Sequence, residues 1–185
     1  MYRVSLLILT FLVFQACRPA AAPVAVGNKP ISVNGVPAKD ADAQPLKPVG
    51  EMSWTGFEGN VQKVKDLNGK VVILDFWATY CKPCLEEIPH LVELQNKYAD
   101  LKVVGLHVGG EEDVPKVPAF VERLKINYVL AYPDNELSNV LLGNDNSIPQ
   151  TIIFDRRGNP VKRFVGFDEI IQAELDEAIE QAMKQ

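Results

Sequence analysis

The stretch that decides the fold is Phe76-Trp77-Ala78-Thr79-Tyr80-Cys81-Lys82-Pro83-Cys84. It continues a run of β-branched and apolar residues over 71–76, which is typical of a strand covered on both faces. A helix is predicted from about Pro83 to Tyr98, because its apolar residues recur on one face. The two cysteines of the motif, Cys81 and Cys84, therefore lie where a buried strand gives way to a helix.

This position predicts redox chemistry for the cysteine pair. The first sulfur stands at a helix N-terminus, where unpaired backbone N–H groups and the positive end of the helix dipole stabilise a thiolate. Lys82 adds a positive charge, and Pro83 suits the first helical turn because its missing N–H costs nothing there. We therefore expect Cys81 to be a low-pKa, exposed nucleophile and Cys84 to be the more buried resolving thiol.

Two other interpretations of the C-x-x-C pair are open. It could form half of a zinc site, which needs four ligands. The remaining candidates are Cys17, far away in the sequence, and His90 and His107, which do not show paired ligand spacing. A purely structural disulfide is the other possibility, although the junction of strand and helix favours redox work.

The remaining pattern predicts an α/β fold for residues 51–185. The predicted class is a sandwich with a mixed central β-sheet flanked by helices. Asp155–Asn159 is a turn that joins two strands into a hairpin. The predicted strands are 61–64, 71–76, 102–108, 128–130, 151–154 and 161–164, and shorter helices are predicted near 118–124, 137–142 and 171–182.

The N-terminus does not belong to this domain. Arg3 and the apolar run that follows it are typical of a secretory signal over residues 1–16. Phe14–Cys17 is similar to a bacterial lipobox, so Cys17 is predicted to carry lipid. Ordinary cleavage nearby, with Cys17 discarded or left free, is the alternative. A Pro- and Ala-rich tether is predicted from 17 to 50.

Cysteine number and charge agree with this organisation. Three cysteines in an exported protein leave one over, and lipid on Cys17 would account for it. The net charge is −5 and the sequence has no cluster of Lys and Arg. Both observations argue against nucleic acid as a partner.

Several ordered motifs make residues 51–185 resemble the TlpA/ResA-like branch of the thioredoxin family. Phe76–Cys84 is similar to that branch's F-W-A-x-W-C-x-P-C, although Tyr80 stands where Trp is usual. Glu87–Pro89 is similar to its C-x-x-E-x-P. Ile148–Thr151 is similar to its V-P-T-T, and Phe154–Gly158 to its I-D-x-x-G. The resemblance implies a thioredoxin-like fold.

The resemblance also implies roles for three further residues. Pro149 matches the cis-proline that faces the dithiol. Glu87 matches the branch's active-site glutamate. The alternative interpretation of Glu87 is an ordinary exposed carboxylate on the helix. Asp75 matches the buried aspartate of thioredoxin; burial would raise its pKa and suit it to accept the proton of Cys84. A strand end with solvent access is the alternative for Asp75.

The implied function is that of an exported thiol–disulfide oxidoreductase without a cofactor. Its expected substrates are exported proteins with disulfides, including apocytochrome c, and its expected electron donor is a membrane thiol carrier. The domain would lie in the periplasm of a bacterial cell envelope, anchored to a membrane by lipid. A thiol oxidase or isomerase, a copper-handling protein of the same fold and a non-catalytic binding module are the competing functions.

Overall fold

The computed structural model describes residues 48–185. The predicted signal over 1–16, Cys17 and nearly all of the 17–50 tether lie outside these residues. Seven strands and four α-helices follow in chain order. The strands are β1 (Ser53–Gly56), β2 (Val61–Lys63), β3 (Val71–Trp77), β4 (Leu101–His107), β5 (Val129–Pro133), β6 (Gln150–Phe154) and β7 (Pro160–Val165). The helices are α1 (Lys82–Lys97), α2 (Val117–Leu124), α3 (Asn135–Leu142) and α4 (Glu169–Met183).

All seven strands form one mixed sheet in the order β2-β1-β5-β4-β3-β6-β7. Strands β3, β4 and β5 run parallel, and β6 and β7 form the predicted antiparallel hairpin. β3 is central and each of its seven residues is buried, as the continuous apolar run predicted. The predicted α/β sandwich with a mixed sheet is confirmed.

Alternate residues of β3 face two different cores. Val72, Leu74 and Phe76 pack with residues of α3 on one side. Val71 and Ile73 pack with α1 and α4 on the other. Because side chains alternate along a strand, Asp75 and Trp77 point to the same side as Val71 and Ile73. The carboxyl end of β3 thus places the cysteine motif on the α1 side of the sheet.

One strand was missed by the sequence analysis. β1 has four residues, of which Trp54 is buried and Thr55 is exposed. So short a segment carries almost no alternation, and its conformation depends on pairing with β2 and β5.

In residues 48–185, no helix combines the length and the apolar character needed to cross a bilayer.

Candidate active site

Cys81 and Cys84 are joined by a disulfide at the start of α1. Cys81 is the N-cap residue, and its Sγ accepts a hydrogen bond from the backbone N–H of Cys84 at 3.2 Å. Pro83 lies in the first turn, and Lys82 is exposed beside the sulfur. The predicted position of the pair at a helix N-terminus is confirmed.

The exposure predicted for Cys81 is wrong for this oxidised state. Its exposed fraction is 5%, against 0% for Cys84. The order of the two is as predicted, but Cys81 is largely covered because it packs in a cluster with Trp77, Ile88 and Phe120. Tyr80, which directly precedes Cys81, is 63% exposed.

Asp75, the residue of β3 that directly precedes the motif, is a fully buried acid. Its exposed fraction is 0%, and neither carboxyl oxygen has a hydrogen-bond partner among residues 48–185. Burial raises the pKa of Asp75 well above its ordinary value, and the charge of Glu87 raises it further. The alternative of a solvent-exposed strand end is therefore excluded.

Glu87 reaches the same buried region from α1. Its exposed fraction is 1%, so it is no ordinary surface carboxylate. Thr151 donates a hydrogen bond from its hydroxyl to Glu87 Oε1. Thr151 stands directly opposite Asp75 in the β3–β6 register, which explains how the two acids meet. Burial raises the pKa of Glu87 to about 7, although the Thr151 hydrogen bond works in the opposite direction.

A third titratable group, Tyr128, was missed by the sequence analysis. Its buried hydroxyl has no partner among the described residues. Burial raises its pKa, and the charges of Asp75 and Glu87 raise it further. The Tyr128 ring comes close because Gly105, opposite Asp75 in β4, has no side chain; a Cβ there would lie 3.0 Å from Tyr128 Cε2. Nothing in the local sequence around Tyr128 signals this approach.

The bond between Ile148 and Pro149 is cis, as the resemblance implied. It comes directly before β6, whose second residue is Thr151. Ile148 packs against the cluster that contains both cysteines. The loop before β6 therefore borders the dithiol.

Asp113 organises the other side of the motif and was also missed. It is buried and accepts hydrogen bonds from the Thr79 backbone N–H at 2.8 Å and from the Thr79 hydroxyl. His107 Nε2 lies 3.0 Å from its Oδ2, and Lys116 Nζ lies 3.2 Å from its Oδ1. Asp113 thereby ties the residue two places before Cys81 to the end of β4.

The two histidines are both structural in their contacts. His107 is buried with its ring 5.1 Å from that of Trp77, and His90 Nε2 lies 2.8 Å from Asp176 Oδ1. Within residues 48–185, no group of three or more His, Cys, Asp or Glu side chains is arranged to hold a metal.

Comparison with known proteins supports the family suggested by the motifs. Residues 37–162 match the sequence profile of the AhpC/TSA family. The chain belongs to the AhpC/TSA family. The relatives and structures described next identify this AhpC/TSA member as thioredoxin-like.

Two curated relatives and one solved structure illustrate the similarity. The chain is 31% identical over 112 residues to thiol-disulfide oxidoreductase ResA of Bacillus cereus, covering 60% of this chain and 64% of that protein. It is 31% identical over 125 residues to thioredoxin-like protein YneN of Bacillus subtilis, and this alignment covers 65% of this chain and 71% of that protein. The chain thus spans about two thirds of these relatives' lengths. A thiol:disulfide interchange protein of the thioredoxin family from Chlorobium tepidum superposes with a TM-score of 0.61 at 29% identity, covering 77% of this chain and 99% of that one.

The Asp113 contacts in this AhpC/TSA domain give a stability prediction. Asp113→Ala is expected to lower the free energy of unfolding by about 3 kcal/mol, because two Thr79 donors and His107 lose their acceptor. Urea denaturation of the oxidised protein measures it. Lys116→Gln is the control and should change stability by less than about 0.5 kcal/mol, since the Lys116 side chain is 62% exposed and Gln can still donate a hydrogen bond to Asp113. Equal effects of the two substitutions would contradict the role given to Asp113.

The same contacts set the sign of a pH dependence. Burial raises the pKa of Asp113, but the hydrogen bonds from Thr79 and His107 outweigh it and hold that pKa below its usual 3.8. A folded pKa below the unfolded one stabilises the protein above the unfolded value. We expect this contribution to be intact at neutral pH and to be lost as the pH falls below about 4.

The reduced AhpC/TSA domain should show unequal cysteines. We expect Cys81 to react with iodoacetamide faster than Cys84 at pH 7, with a pKa below the free thiol's roughly 8.5, because it caps α1 and is the less buried of the two. Mass spectrometry of a labelling time course measures both rates. Equal rates, or faster labelling of Cys84, would contradict the assignment of the nucleophile.

Proposed function

We propose that this chain is an exported thiol–disulfide oxidoreductase that reduces disulfides of exported proteins through Cys81 and Cys84. The observation that carries the proposal is the Cys81–Cys84 disulfide at the N-terminus of α1, in a site whose flanking elements β3 and α1 also carry the buried carboxyls of Asp75 and Glu87. A structural disulfide needs no titratable groups near it. Acids with raised pKa values beside a disulfide are suited to moving protons during exchange.

The first step is attack on the substrate. In the reduced protein, the Cys81 thiolate attacks one sulfur of a substrate disulfide, and a mixed disulfide forms as one substrate thiolate leaves. The helix N-terminus and Lys82 stabilise the attacking thiolate before the substrate arrives. This step therefore requires no base.

The second step is resolution, and it requires removal of a proton. Cys84 is completely buried, so its thiol must lose a proton in a site closed to water. The resulting thiolate attacks Cys81 Sγ and releases the second substrate thiolate. The substrate gains two electrons, and the protein returns to the disulfide form. A thiol donor, for which we propose a membrane electron carrier, then reduces it again.

The two acids have different parts in resolution. Thr151 stabilises ionised Glu87, whose pKa of about 7 suits a base at neutral pH. Asp75 has no hydrogen-bond donor in the described structure, so it holds its proton more tightly. We assign Glu87 as the proton acceptor for Cys84. Asp75 stays protonated, so that the acid pair carries only one negative charge, on Glu87.

The direction of the reaction is tested by the reduction potential. We expect equilibration with glutathione to give a value more negative than about −180 mV, the value of protein disulfide isomerase, with the reduced protein consuming a disulfide peptide stoichiometrically. Cys81→Ser is the inactive control. A potential near −120 mV, as in strong oxidants, would overturn the reductase assignment and favour a thiol oxidase. Cytochrome c maturation is the process we propose for the reductase, with apocytochrome c disulfides as substrates.

Export and anchoring rest on the N-terminal sequence. We propose that residues 1–16 are removed and that Cys17 carries lipid, which would hold the domain at a membrane of the bacterial envelope. Mass spectrometry of the mature N-terminus from bacterial membranes should show a chain that begins at Cys17 with added acyl mass. The Cys17→Ser variant should lose that mass. A mature chain that begins elsewhere without acyl mass would exclude the anchor.

A further inference from the structure

A second recognition element lies beside the dithiol. A cleft of about 310 Å³ is lined by Thr79, Lys116, Ala119, Phe120 and Arg123, and we call it the cationic cleft. Thr79 comes two residues before Cys81, and two residues span at most about 7 Å of chain. The cleft therefore borders the position at which a substrate sulfur must stand.

The cleft carries two positive charges that face solvent. Lys116 Nζ donates one hydrogen bond to Asp113 Oδ1 at 3.2 Å, and the Lys116 side chain is 62% exposed, so its other two donors can reach a ligand. Arg123 has no carboxylate within ion-pair distance among residues 48–185; it lies over the Phe120 ring at 5.4 Å. An ammonium and a guanidinium group can donate up to eight hydrogen bonds between them, of which few are used here.

The cations are also held in position. Asp113 fixes Lys116 beside Thr79, and Phe120, which positions Arg123, stacks on Trp77 with ring centroids 5.1 Å apart. Trp77 is the last residue of β3 and precedes the motif loop directly. The floor of the cleft is thus continuous with the motif that carries the cysteines. Fixed donors lose less side-chain entropy on binding than free surface side chains do.

We propose that the cationic cleft binds an acidic side chain of the substrate polypeptide, one to three residues from the substrate cysteine. This proposal rests on the proposed function and adds a sequence preference to it. A Glu or Asp carboxylate in the cleft would accept hydrogen bonds from Arg123 and Lys116 while the neighbouring cysteine meets Cys81. The expected substrates are therefore disulfide-bonded polypeptides with acidic residues beside the reacting cysteine.

The test uses two peptide pairs. The first pair contains one disulfide with either three Glu or three Gln residues beside the reacting cysteine, and it reports kcat/KM. The second pair is the same with each cysteine replaced by Ser, and fluorescence anisotropy reports its Kd without any redox step. For the wild type we expect roughly a fivefold preference for Glu in both measurements, and the preference should shrink as salt is added.

Variants decide whether the cleft is the source of the preference. Lys116→Gln combined with Arg123→Gln should bring the Glu-to-Gln ratio close to one and leave the Gln peptide nearly unchanged. The control combines Lys97→Gln with Lys102→Gln, which removes the same charge. Lys97 ends α1, whose 16 residues extend about 24 Å from the dithiol. This control should keep the preference.

The outcomes separate this proposal from the proposed function. A Glu-to-Gln ratio of one for the wild type would overturn the cleft proposal. A preference for Glu in the cleft variant equal to that of the wild type would overturn it as well. Failure of the wild type to reduce either disulfide peptide would overturn the reductase function, and the Ser peptides would still measure the preference of the cleft. A preference lost equally in both double variants would assign it to overall charge and overturn the cleft as its source.

Discussion

Cys84→Ala is expected to stop turnover at the mixed disulfide and to lower steady-state reduction of a disulfide substrate by at least about 10³-fold. The attacking Cys81 is unchanged in this variant, so the first exchange still occurs. Cys84 is completely buried one helical turn away, and it is the group that we propose releases the substrate. Without it the covalent complex accumulates.

The accumulation can be seen directly. Expression of Cys84→Ala in the envelope, acid quenching and non-reducing electrophoresis should show high-mass adducts that reducing agent removes, and mass spectrometry of the adducts identifies the substrates. Cys81→Ala, and the variant that lacks both cysteines, are the controls and should form none. Adducts that form through Cys84 when Cys81 is absent would reverse the assignment of the two thiols.

The substitution Glu87→Gln is expected to slow resolution about 10²-fold at pH 7 while changing the initial attack by less than about threefold. Asp75→Asn should act in the same direction with a smaller effect, about tenfold, because a neutral partner of similar shape remains beside Glu87. The attacking thiolate is already stabilised by the helix end, whereas the buried Cys84 thiol needs a base. Stopped-flow measurement on a fluorescent disulfide peptide separates the two steps.

The pH profile distinguishes a base from a structural acid. The pKa of Glu87 is raised to about 7, so its basic form becomes more populated as the pH rises through this range. Resolution in the wild type should therefore accelerate between about pH 6 and 8, and Glu87→Gln should remove most of that acceleration. Glu86→Gln is the matched control, since Glu86 is the exposed neighbouring residue on α1. Unchanged rates and profiles in both acid variants would make the two carboxyls structural.

The buried acid pair shows which part of the site is accessible to sequence reasoning. The raised pKa of Asp75 follows from an acid within an apolar strand, and the structure agrees. The burial of Glu87 has a different cause. It depends on Thr151, 64 residues further along the chain, and on the β3–β6 register that brings Thr151 opposite Asp75. The motif resemblance pointed to Glu87 as an active-site residue. The position of Glu87 within α1, taken alone, was equally consistent with an ordinary carboxylate on the exposed face of the helix.

The features that the sequence did not predict also depend on contacts between residues that are far apart in the chain. Asp113 and Tyr128 stand outside the motifs and carry no local signal, since Asp113 could be any loop carboxylate and Tyr128 any half-buried aromatic residue. Their roles arise from what meets them in space. Asp113 meets Thr79, 34 residues before it, and Tyr128 reaches the acids over Gly105. The exposure of Cys81 was overestimated because the residues that cover it come from β3, α1 and α2 together.

The amino-acid sequence by itself determined most of the elements of this protein and the position of the cysteine pair at the start of α1. The apolar run over 71–77 makes a buried central strand, Pro83 and the capping cysteine start a helix, and the turn over 155–159 closes a hairpin, because these signals act between near neighbours in the chain. Only the tertiary structure decided the surroundings of that pair. Strand register and helix packing bring Asp75, Glu87 and Tyr128 close to one another and place Lys116 and Arg123 in one cleft with Thr79, and such contacts depend on the position of the whole backbone in space.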